Sequence, residues 1–90
     1  MNEPYRIAQS GITQLKQAIH MLLDRAGDNG LSNAEIGRTL GIYAGHAGHE
    51  GHISRTILAL MEVEAVVEQN TATKRWKLCN HFAEKRNSEG

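Results

Sequence analysis

From Ser10 onward, Ile12, Leu15, Ile19, Leu22, Leu23 and Ala26 recur three or four residues apart, with one adjacent pair. That spacing fits one face of an α-helix and does not fit a strand. Ser10 is a suitable N-cap, and Gly27 followed by Asp28-Asn29-Gly30 supplies residues that tolerate left-handed backbone. The pattern predicts a first helix over residues 11–26. Next, Ser32-Asn33-Ala34-Glu35 matches the capping box, in which hydroxyl and carboxylate each satisfy an end amide. Ile36 and Leu40 then share a face and Gly41 stands at the exit, so a short second helix is predicted over 33–40. Gly37 costs it roughly 1 kcal/mol of propensity, which packing must offset.

Residues 43–52 read Tyr-Ala-Gly-His-Ala-Gly-His-Glu-Gly-His, with glycine at 45, 48 and 51 and histidine at 46, 49 and 52. So many glycines predict a loop, entering a third helix somewhere in 48–52 that runs to about Glu62. Ile53, Ile57, Leu60 and Met61 are its expected apolar face, which leaves Leu58 on the exposed side. Val66 and Val67 open a β-type run and Asn70-Thr71-Ala72-Thr73 is turn-like. In the run that follows, Arg75 and Lys77 alternate with Trp76 and Leu78. These read as a hairpin with one buried face, Trp76 belonging to the core. Leu31 is placed to add a third strand of one or two residues, and Phe82 to fold back on the core.

The expected architecture is therefore α+β and mainly α: three helices followed by a two-stranded β-hairpin. An N-terminal extension over 1–9 precedes a single domain over 10–82, and 83–90 form a flexible polar tail.

Composition narrows the classes. Ninety residues, 40% apolar and 22% charged, suit one small globular domain. No apolar run approaches the ~20 residues of a membrane span, so no membrane partner is expected. Met1-Asn2-Glu3-Pro4-Tyr5-Arg6 lacks the layout of a secretory signal. With one cysteine, Cys79, an internal disulfide is excluded, and a cytoplasmic setting is the simplest. Ten basic residues balance ten acidic ones, which argues against a polybasic binder but not against a local basic patch. Residues 65–90 are the basic part, densest at Lys74-Arg75-Trp76-Lys77. Residues 31–64 are acidic, with Glu35, Glu50, Glu62 and Glu64 against Arg38 and Arg55.

A short helix, a longer helix and then a hairpin form the order of a helix-turn-helix with a wing. Gly30 to Ile42 resembles the second-helix segment of bacterial transcription regulators. Ile53 to Met61 is similar to a recognition helix, and Val66-Val67-Glu68 with Arg75-Trp76-Lys77-Leu78 to wing strands. Over residues 10–80 the chain resembles the winged helix-turn-helix superfamily. Its long Gly-rich link between the second and third helices looks like small modules attached to bacterial restriction and other DNA-handling enzymes. Where that superfamily often carries glycine before the first wing strand, this chain has Ala65, which is strained if its φ is positive.

The resemblance implies a DNA-binding protein of transcription regulation or DNA handling, with the third helix in the major groove and the wing on the phosphate backbone. On a helical wheel the expected outward face of the third helix offers Arg55 and His52 beside small residues, so a guanine-reading arginine could come close to the bases. Ser54 and Thr56 flank this face as phosphate donors. Arg38 in the second helix, and Lys74, Arg75 and Lys77 in the wing, complete the cations. The candidate DNA-binding residues are thus Arg38, His49, His52, Ser54, Arg55, Thr56, Lys74, Arg75 and Lys77, with double-stranded DNA as partner. If DNA is the ligand, Arg55, Lys74, Arg75 and Lys77 should form one basic patch. Neutral net charge implies modest affinity, so a homodimer or a larger protein partner would help. The alternative is a winged helix that docks a protein and never touches DNA, which the acidic middle third slightly favours.

The histidines at 46, 49 and 52 read as exposed groups or DNA contacts that strengthen near about pH 6, rather than as a metal site. There is no cysteine pair, no H-E-x-x-H and no evident fourth ligand. Neither a triad nor a phosphate loop is present as a motif, so neither an enzyme nor a cofactor is expected.

Overall fold

A computed structural model describes residues 2–43 and 50–79. The element order is α1 (Asn2–Ala26), a 3-10 turn (Gly27–Asn29), α2 (Asn33–Thr39), α3 (His52–Val63), β1 (Val67–Gln69) and β2 (Trp76–Leu78). The chain is α+β and mainly helical, with three helices and one antiparallel two-stranded hairpin. Val67 faces Leu78, Glu68 faces Lys77 and Gln69 faces Trp76. Leu31 adds a single bridge to Trp76 on the other side of β2, with reciprocal backbone bonds of 2.9 and 2.7 Å. The tail at 83–90 and Phe82 lie outside the described residues.

The first helix is longer than its periodicity suggests. It begins at Asn2 rather than at 11, so residues 2–9 are helical and Ser10 lies inside the helix instead of capping it. Pro4 is no obstacle, because the first four amides of a helix have no intrahelical acceptor to lose.

α2 starts as its sequence dictates. Ser32 Oγ accepts from Glu35 N at 3.1 Å, and Glu35 Oε1 accepts from Ser32 N at 2.8 Å. It stops in a Schellman motif: Ile42 N donates to Gly37 O (2.8 Å) and Gly41 N to Arg38 O (3.2 Å), with Gly41 at φ 75°. α3 stops in the same way. Val66 N donates to Met61 O and Ala65 N to Glu62 O, both at 3.0 Å. Here the left-handed position belongs to Ala65, at φ 62°, so the strain expected there is present.

The core lies where α1, α3 and the inner face of the hairpin meet, closed by Ile36 of α2. Ile19, Leu23, Ile36, Leu58, Met61 and Val67 are almost wholly buried, joined by Ile57, Trp76 and Leu78. One expectation fails. Leu58 is 0% exposed, whereas Leu60, assigned to the core, is 41% exposed. With Ser54, Ile57, Leu58 and Met61 as the buried set, α3 is turned by about 60° from the orientation its apolar spacing suggested. Burying Leu58 stabilises the fold by about 1.5–3 kcal/mol relative to exposing it. There it joins the one buried cluster that α1, α2, α3 and both strands share.

Candidate functional site

The rotation of α3 decides what it shows to solvent. Its outward stripe is His52, Thr56, Ala59 and Val63, spaced four, three and four residues, with Arg55 and Glu62 along one edge and Leu60 along the other. Thr56 Oγ1 donates to His52 O at 2.8 Å, inside the helix's own first turn. Arg55 is exposed and reaches Glu50 O at a long 3.4 Å.

Ser54 is not on that surface. It is 0% exposed, and its hydroxyl donates to Asn33 Oδ1 at 2.7 Å, with Gly51 O close by at 3.1 Å. Asn33 Nδ2 in turn donates to Gly51 O at 3.0 Å. This small polar knot ties the start of α2 to the start of α3. Gly51, at φ 83°, is needed because a Cβ there would stand 2.6 Å from Asn33 Nδ2 and 2.7 Å from the Tyr43 ring. Ser54 therefore leaves the set of candidate phosphate donors: a hydroxyl with no exposed surface cannot meet a ligand oxygen.

Arg75 is a second correction. Its Nε donates to Asn29 O and its Nη2 to Gly30 O, both at 2.9 Å, while Nη1 lies 3.3 Å from Glu35 Oε1. It clamps β2 to the turn before α2. Glu35 in turn lies below the usual carboxylate range. The Ser32 amide lowers its pKa most, opposed by some desolvation and assisted by Arg75. An arginine so engaged braces the scaffold, while its side chain stays 38% exposed on the outer face of the hairpin. Lys77 stands on the same outer face, opposite Glu68 in register. An open groove of about 530 Å³ runs along that face, lined among others by Asp28, Glu68, Arg75 and Lys77, so its charge is mixed.

Lys74 sits at the hairpin tip with φ 65°. The tip is tightly built: Asn70 Oδ1 accepts from Ala72 N (2.8 Å) and Thr73 N (2.9 Å), and Lys74 N donates to Asn70 O (2.7 Å). Such a turn presents Lys74 at a fixed exposed place. Arg38, also exposed, stacks its guanidinium over the Tyr43 ring at 4.6 Å from the centroid. His49, like His46, lies outside the described residues. Trp76 is buried, as its phase with Leu78 predicts.

Arg38, His52, Arg55, Thr56 and Lys74 are thus exposed, Lys77 is half-exposed on the mixed groove, and Ser54 and Arg75 serve the scaffold. Val63, 87% exposed, and Leu60 are surface features that the sequence reading did not single out. Burial, and then Glu68, push the Cys79 thiol up, so it is a poor nucleophile at neutral pH. Among the described residues no three His, Cys, Asp or Glu side chains converge as metal ligands would, and no helix is long and apolar enough to cross a membrane. No family model, curated protein or solved structure matches this chain.

Proposed function

We propose that this chain is a DNA-binding module of the winged-helix type, with α3 as the reading helix and the hairpin as a wing. The observation that carries the proposal is the solvent face of α3. Its first two turns offer Arg55, His52 and Thr56 beside the small Ala59, while the opposite face is locked on the core by Ser54, Ile57, Leu58 and Met61. A rigid helix with short side chains around one arginine suits close approach to base edges. Glu62 stands at the far end of the helix, away from that arginine. Arg38 and Lys74 supply phosphate contacts, and Arg75 supports the scaffold that holds them.

Titration of a labelled duplex at two salt concentrations tests the proposal. The two phosphate contacts, Arg38 and Lys74, give a log–log slope of roughly −2. Arg55→Ala should reduce discrimination between sequences, and Lys74→Ala should weaken binding to all of them alike. No binding at low salt refutes the proposal.

A second reading, a protein-docking winged helix, has its own support. Leu60 and Val63 place two large apolar side chains on the exposed side of the C-terminal half of α3, next to Ala59. Failure of the duplex titration, together with loss of a protein partner on Val63→Glu, would select this reading.

A further inference from the structure

The N-terminal part of α1 stands clear of the rest of the described protein. Residues 2–11 are all exposed, Ile12 and Leu15 are half-buried, and Ile19 is the first residue of the helix that is fully buried. Those ten residues form an overhang of about 15 Å. The apolar stripe does not stop where the core stops. Tyr5 and Ala8 continue the three-and-four spacing of Ile12, Leu15, Ile19 and Leu22, so they lie on the core-facing side of the helix beyond the core's edge. Tyr5 is 67% exposed there. These residues only propagate a helix already nucleated on the core, which is near break-even in water, and Gly11 among them costs roughly 1 kcal/mol of propensity.

We propose that the overhang is an interface with a second copy of the chain, α1 against α1 and antiparallel, with the two-fold axis beside Ala8. The stripe is complementary to itself in that arrangement. Its size order is large, small, large: Tyr5, Ala8, Ile12. Ala8 meets Ala8 and lets the backbones close in, while each Tyr5 covers the half-exposed Ile12 of the other copy. The contact is isologous and therefore closed. Glu3 and Arg6, the charged residues within 2–15, fall on the opposite side of the helix and set no like charges against each other. Covering Tyr5 recovers on the order of 100–150 Å² per copy. The whole contact stays below the ~1,200 Å² of a standard stable interface, so the dimer is weak, half formed on the order of 100 μM.

Sedimentation equilibrium from ~10 μM to ~1 mM brackets that affinity. The parent chain should rise from the mass of one chain toward that of two. Tyr5→Glu and Ala8→Glu should each remain a single chain. Both positions are exposed in the single chain, so the melting temperature at low concentration should not move. To fix the geometry, Ala8→Cys in a Cys79→Ser background should oxidise to a linked dimer faster than Gln14→Cys, which lies on the far side of the helix. A parent that is one chain at ~1 mM, a dimer indifferent to both glutamates, or equal cross-linking at 8 and 14 each overturns the proposal. DNA takes no part in these measurements, so their outcome is separate from that of the duplex titration.

Discussion

Replacing Ser54 by alanine removes one hydroxyl from the knot between α2 and α3 and leaves the backbone alone. Gly51 O keeps two donors, Asn33 Nδ2 at 3.0 Å and Arg55 N at 3.0 Å. Asn33 Oδ1 loses the 2.7 Å bond that Ser54 gives it, in a half-buried place. An acceptor left in that position costs about 1–3 kcal/mol, and partial exposure of Asn33 puts the cost near 1–2 kcal/mol. For a domain of this size each kcal/mol lowers the midpoint by about 4–8 °C, so Ser54→Ala should melt roughly 5–15 °C below the parent. Thermal and urea unfolding followed by circular dichroism measure this. In a double-mutant cycle, adding Ser54→Ala to Asn33→Ala should cost about 1 kcal/mol less than Ser54→Ala alone, because the bond is already gone. A change within about 0.5 kcal/mol, or single effects that simply add, would refute the reasoning. The same variant separates scaffold from contact. Measured well below its melting point, Ser54→Ala should bind duplex like the parent, while Arg55→Ala, one residue along, should not.

Two helix ends in this chain form a reciprocal experiment. Gly41 and Ala65 occupy the same left-handed position of the same motif, and a Cβ at Gly41 would meet open space. Ala65→Gly should therefore stabilise, and Gly41→Ala destabilise, by about 0.5–1 kcal/mol each in chemical denaturation; equal signs would show that φ is not the cause. Gly30→Ala should cost more, about 3 kcal/mol or above. It strains a φ of 64° and drives its Cβ into the Trp76 carbonyl that pairs with Leu31, so loss of the Leu31 bridge by amide exchange should accompany it. Glu35, whose pKa is lowered in the fold, adds stability that is complete above its ordinary value near ~4.3 and is lost as pH falls through its lower folded value. Acid unfolding of Glu35→Gln should lack that part of the parent's decline, with little difference between the two in its slope at neutral pH.

Local signals were readable wherever the partners lie within a few residues. The Ser32–Glu35 box, the Gly41 exit, the strain at Ala65 and the burial of Trp76 all follow from spacing or from residue type alone. The readings that failed depended on residues far along the chain. Arg75 lies, as the alternation predicts, on the side of its strand away from the buried Trp76. Its engagement by Asn29, Gly30 and Glu35, at least 40 residues earlier, has no sequence signature. The orientation of α3 is hidden in the sequence for a similar reason. Ile53, Ile57, Leu58, Leu60, Met61 and Val63 spread over so wide an arc that their average direction depends on which are counted. The deciding residue is a serine, which hydropathy sends outward and which Asn33, 21 residues away, makes acceptable in the core. That buried bond and the burial of Ile57, Leu58 and Met61 select the same orientation, in which Leu60 turns outward and Arg55 lies at the edge of the stripe that His52, Thr56, Ala59 and Val63 define. The composition of the candidate reading face thus follows from what packs on the opposite side of the helix, the serine included.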